Sequence, residues 1–172
     1  MIGADLLLLA ILLRFESMGT NSQPSPIPVV QKEASMTHHV SGPFEVKLNP
    51  LTAYNQDDKA LARMSIDKQF HGDLEATSKG EMLSAGTEIK GSAGYVAIEK
   101  VSGSLNGHTG TFVLEHFATM TRGTPELRII VVPDSGTGQL IGLSGTMNII
   151  IAPGGKHSYE FNYTLPDGNG LL

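Results

Sequence analysis

The chain has 172 residues, the size of one domain and too short for two independent cores, and 40% of it is apolar, enough to exclude wholesale disorder. It contains no Cys, which excludes a disulfide scaffold, a thiolate nucleophile and any Cys-ligated metal. A net charge of -5 with only 12 Lys and Arg, no Trp and 6% aromatics argues against a nucleic-acid partner.

The first apolar run, Leu6 to Leu13, is far short of the roughly 20 residues a membrane span needs. Asp5 precedes it where a signal peptide carries basic residues, and Arg14 follows it. A cytoplasmic protein is therefore expected, with secretion through residues 1–18 disfavoured. Pro24, Pro26 and Pro28 then favour extended, unpacked chain. Residues 1–39, with His38 and His39, read as a flexible leader or the product of a misplaced start, Met18 and Met36 being alternative starts to Met1. Residues 40–166 read as a single domain and residues 167–172 as a tail.

Within the domain, apolar and polar residues alternate with the period of half-buried strands. Phe44, Val46 and Leu48 form the first set, and Met64, Ile66 and Phe70 the second. Asp57 to Ala62 between them is expected to make at most one helical turn. His71-Gly72-Asp73 turns the chain into Leu74, Ala76 and Ser78, with a bulge expected at Gly80. Tyr95, Ala97 and Val101 follow, then Phe112, Leu114, His116, Ala118 and Met120. Leu127, Ile129 and Val131 run into Pro133; Met147, Ile149 and Ile151 form another set, and Tyr159, Phe161, Tyr163 and Leu165 the last. About eight short strands with tight turns mean a sandwich or a closed barrel. Few charges protect potential edges, so the expectation is all-β: a closed antiparallel eight-stranded barrel.

The pattern G-x-L-x-G-x-x-G-T occurs twice, at Gly103 to Thr111 and Gly138 to Thr146. It suggests two equivalent strand–turn–strand units with glycines at the junctions. The second copy overlaps a run, Gly136-Thr137-Gly138, that superficially resembles a dinucleotide-binding loop. A helix should follow such a loop, but the β-branched stretch Thr146 to Ile151 follows instead. No His pair has metal-ligand spacing, and no G-x-S-x-G nucleophile elbow occurs. Neither metal nor cofactor is therefore expected.

Polar residues that share strand parity with apolar ones are more informative. Lys68 lies between Ile66 and Phe70, Glu99 between Ala97 and Val101, and His116 between Leu114 and Ala118. If these faces point inward, the lumen holds an ammonium, a carboxylate and an imidazole, with Tyr95 and Tyr159 as phenols and His157 on the same parity as Tyr159. A one-residue slip would instead leave Lys68 and Glu99 solvated. Lys68, Glu99 and His116 are the candidate catalytic residues, and Tyr95, Tyr159, His157 and Glu81 the candidate ligand contacts.

Several stretches carry a family resemblance. They are Asp67 to Leu74, Ser78 to Leu83, Gly91 to Ala97, Gly110 to His116, Val131 to Gly138 and Lys156 to Tyr159. Over Val40 to Leu165 the chain resembles a bacterial family of unknown function, and the resemblance implies an allene-oxide-cyclase-like barrel of the kind dirigent proteins share. No cyclase catalytic motif maps onto these residues. Two functions remain open. One is a cofactor-free cyclase or isomerase that binds a small apolar molecule in its lumen. The other is a binding or structural barrel whose interior is filled by side chains. The residues leave the assembly state open, a homo-oligomer included.

Overall fold

The computed structural model describes residues 36–55, 57 and 60–166. The expected leader, apart from its last few residues, and the tail lie outside the described residues.

Eight strands close into one antiparallel barrel in chain order: β1 (Thr37–Leu51), β2 (Leu61–Phe70), β3 (Leu74–Gly86), β4 (Ala93–Leu105), β5 (His108–Thr121), β6 (Thr124–Val131), β7 (Ser144–Ile151) and β8 (His157–Thr164). The expected architecture is the observed one. β1 makes closure possible because it is long enough to serve two neighbours. Thr37 to Phe44 pair with β8, and Phe44 to Leu51 pair with β2. His38 and His39 thus belong to a strand and not to the leader, opposite Tyr163 and Asn162.

Turn chemistry sets the hairpins. Asn106 and Gly107, at φ 47° and 82°, join β4 to β5, and Arg122 and Gly123, at 49° and 92°, join β5 to β6. Two consecutive positive φ values are what a two-residue hairpin turn needs to match the strand twist.

The two ends of the barrel differ. At one end the chain between β6 and β7 crosses the bore through a short 3₁₀ turn, Gly138–Leu140, and buries Leu140 and Leu143. Phe70, Leu74, Leu105, Phe112 and Phe161 pack above this plug with essentially no exposure. At the other end no such plug is present among the described residues. Inward-parity side chains there are partly open to solvent, with Leu127 at 37%, Met120 at 42% and Ile151 at 64% exposure. Among the described residues, one end is packed and the other opens as a mouth.

Three local expectations need correction. Gly80 is not a bulge: β3 pairs without interruption with Ile66 on one side and Glu99 on the other. A Cβ at Gly80 would meet the Ile98 carbonyl and lie 2.5 Å from Glu99 Cβ, so the glycine serves a close approach of two strands. Leu61 and Ala62 already belong to β2, and Asp57 and Ala60 lie in a bend and a turn, so the described residues of Asp57 to Ala62 do not make the expected helical turn. The two glycine repeats are not equivalent units. Leu105 ends a strand before a hairpin, whereas Leu140 sits in the 3₁₀ turn. The two copies instead pack on each other: Thr109 donates to Gln139 Oε1 from its N at 2.8 Å and from its Oγ1 at 3.0 Å.

Candidate functional site

The strand register brings Lys68, Glu99 and His116 together from β2, β4 and β5. Inward positions along β4 run Val101, Glu99, Ala97, Tyr95 toward the mouth, and opposite them on β5 stand Phe112, Leu114, His116 and Ala118. The imidazole is therefore one layer nearer the mouth than the carboxylate. Small inward residues on this wall, Gly80, Ala97 and Ala118, fill little of the bore beside it.

Glu99 is the hub and is fully buried. Its Oε1 accepts from Lys68 Nζ at 2.6 Å and from His116 Nε2 at 2.9 Å, and its Oε2 accepts from Ser78 Oγ at 2.7 Å. Burial alone would push this carboxyl upward; the bond from His116 and the charge of Lys68 outweigh it and hold the group at about 2. The carboxylate stays ionised, so it can only accept, and the proton in the Glu99–His116 bond resides on Nε2. In the neutral imidazole that leaves Nδ1 as the lone-pair nitrogen. Nδ1 has no hydrogen-bond partner among the described residues. No buried polar side-chain atom among them lacks a partner, so Nδ1 borders accessible space although His116 is only 3% exposed.

The Lys68 ammonium, with its side chain 5% exposed, is held by more than the carboxylate alone. The rings of Phe44 and Phe70 lie 5.5 and 5.7 Å from Nζ, close enough for cation–π attraction. Ser78, fully inward on β3, is the member of this cluster that sequence reasoning missed as a site residue. Its signal was available, since it shares the parity of Leu74 and Ala76.

The candidate ligand contacts separate into distinct groups. Tyr95, half-buried one layer above His116, has its hydroxyl pushed up by burial and by the charge of Glu99. Tyr159 is fully buried, but its hydroxyl is already committed: it accepts from Leu74 N at 3.0 Å and donates to the His71 carbonyl at 3.1 Å. It fastens the β2–β3 turn. His157 begins β8 with its ring 5.2 Å from that of Phe44. Glu81 faces outward and pairs with Arg63 at 2.6 Å on the exterior, away from the other candidates. Among the described residues no group of three His, Asp or Glu side chains could hold a metal, and no helix is long and apolar enough to cross a membrane.

Residues 40–163 match the family model described as protein of unknown function (DUF3224). The chain belongs to this family. A crystal structure of a DUF3224 protein of unknown function from Shewanella oneidensis MR-1 is similar at 51% identity and a TM-score of 0.72. The match covers 77% of this chain and 100% of that one. Among curated proteins, none matches the chain.

Proposed function

We propose that this DUF3224 barrel binds a small, largely apolar molecule through its open mouth and moves a proton on it with His116. The reaction class is a cofactor-free isomerisation or cyclisation. The observation that carries the reading is Nδ1 of His116: its tautomer is fixed by an ionised carboxylate, it has no partner among the described residues, and it borders accessible space. Such a nitrogen takes a proton from an acidic C–H or O–H of the ligand and returns it elsewhere on the same molecule, with no oxidant or metal required. Lys68 and Glu99 then act as positioning residues, and Tyr95 supplies a hydroxyl toward the mouth.

The test is incubation with apolar enones and ketones in deuterated water, followed by mass spectrometry. Deuterium incorporation that vanishes in His116→Gln, while ligand-detected NMR still reports binding, is the expected result. Incorporation unchanged in that variant, or no binding by any compound in the mouth, would overturn the reading.

A second reading, a barrel without a ligand, has its own support. Two clefts of about 340 and 1020 Å³ are lined mainly by outward-facing residues, and the lower half of the bore is filled. On that reading the Glu99 cluster is an internal cross-link among four strands, β2 to β5, and His116→Gln changes stability without any catalytic consequence.

A further inference from the structure

The outer face of β3, β4 and β5 carries apolar side chains where a solvated barrel wall normally carries polar ones. Leu83, Val96, Ile98 and Phe117 are each between 50% and 56% exposed. They are contiguous, because the register places Leu83, Val96 and Phe117 in one row and Ile98 in the next. A contiguous apolar patch with a polar rim marks an interaction surface. The cleft of about 1020 Å³ lies over this patch, and Tyr54, fully exposed, stands in its wall.

The charges around the patch identify the partner. The first row runs Arg63, Leu83, Val96, Phe117, Arg128, with a cation at each end. The second runs Ser65, Glu81, Ile98, Glu115, Ile130, with an anion on each side of its central apolar residue. Neither Glu115 nor Arg128 has an ion-pair partner among the described residues, whereas Arg63 pairs with Glu81 at 2.6 Å.

We infer that this face is a two-fold interface between two copies of the chain. A two-fold axis lying in the interface and running across the strands sets the first row of one copy on the second row of the other. Val96 then meets Ile98 of the other copy, Arg128 comes beside its Glu115, and Arg63 beside its Glu81. The alternative axis, along the strands, sets Arg63 on Arg128 and Glu81 on Glu115, which like-charge repulsion opposes. Of these two axes only the first brings unlike charges together, as an isologous interface with charged rims requires, with Leu83 and Phe117 then lying over Glu81 and Glu115 of the other copy.

Sedimentation velocity of the full chain at micromolar concentration tests the inference. A dimer is expected. Arg128→Glu and Glu115→Arg should each weaken it by about tenfold or more, the scale of one close charge pair. The double reversal Arg128→Glu/Glu115→Arg should recover most of the loss. Both positions face outward, and circular dichroism would verify that the variants fold. A monomeric wild type, dimerisation indifferent to either single reversal, or a double variant as weak as the singles would overturn it.

Discussion

Replacing Glu99 with Gln removes one charge from a fully buried cluster and changes almost no volume. The structure gives the cost. Glu99 titrates at about 2 in the fold against 4.5 as an ordinary glutamate, so the fold favours its ionised form. At about 1.4 kcal/mol per pH unit, the difference amounts to about 3 kcal/mol of stability. The amide introduced by Glu99→Gln mimics the protonated carboxyl and should forfeit that amount. Removing one partner of a buried ion pair costs about 3–5 kcal/mol in general, so two independent routes agree in size. Because the folded value lies below the unfolded one, the contribution is complete above pH 4.5 and disappears as pH falls through about 2. Urea unfolding from pH 8 down to acid should therefore show wild type and Glu99→Gln separated by a constant gap that narrows only below pH 4.5. Adding Lys68→Met to Glu99→Gln removes the stranded ammonium and should restore part of the loss, a coupling of about 1–3 kcal/mol. A gap below about 1 kcal/mol at neutral pH, the scale of an exposed pair, or strictly additive single variants, would show that Lys68 and Glu99 are effectively solvated and refute the argument.

The other expected outcomes concern the frame around the cluster. Tyr159→Phe strips the β2–β3 turn of both hydrogen bonds from the phenol and should cost about 1–3 kcal/mol in denaturant unfolding; an unchanged midpoint would mean the turn is held otherwise. Gly80→Ala drives a methyl group into the Ile98 carbonyl and Glu99 Cα, and overpacking of about 1–3 kcal/mol should appear as a lower melting temperature. Gly107→Val and Gly142→Val force β-branched residues to φ near +80°, with an expected loss above about 1 kcal/mol each. Gly142 should be the worse, since its Cβ would also lie 2.7 Å from Pro166 Cγ while Gly107 faces open space; equal losses would mean that strain alone decides.

Alternation made most of this fold legible. Tyr159, Phe161 and Tyr163 are buried and the residues between them less so, as period-2 reading demands. The same parity located Lys68, Glu99 and His116, because an unbroken ladder carries a residue's facing across every strand. Where the reading failed, the cause was non-local. The close approach at Gly80 depends on β4, which no window around residue 80 contains. The burial of Leu140 depends on a crossing over the barrel end, so a repeated motif took two shapes. The start of β1 at Thr37 depends on β8, more than a hundred residues away, and His38 and His39 look like leader until that pairing exists. Ser78 was legible as a strand residue and illegible as a partner of Glu99, since a hydroxyl gives no sign of what it bonds.

A cluster of Lys, Glu, His and Ser is an expensive way to fill a small barrel. Well-packed apolar residues of similar volume are often as stabilising or more so than a buried ion pair. The cluster nevertheless satisfies its members closely: Glu99 accepts three bonds, and Lys68 lies against two rings. Lys68, Glu99 and Ser78 turn their bonds toward one another, and the bond from His116 helps hold the carboxylate ionised. His116 adds a second donor to an oxygen that already has one, and in doing so exposes a lone pair on its far side. That arrangement stands at the level where the packed bore gives way to the small side chains of Ala97 and Ala118 and to the mouth beyond. The imidazole therefore both supports the ionised Glu99 and carries the proposed chemistry, and comparing His116→Gln in stability and in proton exchange separates the two roles.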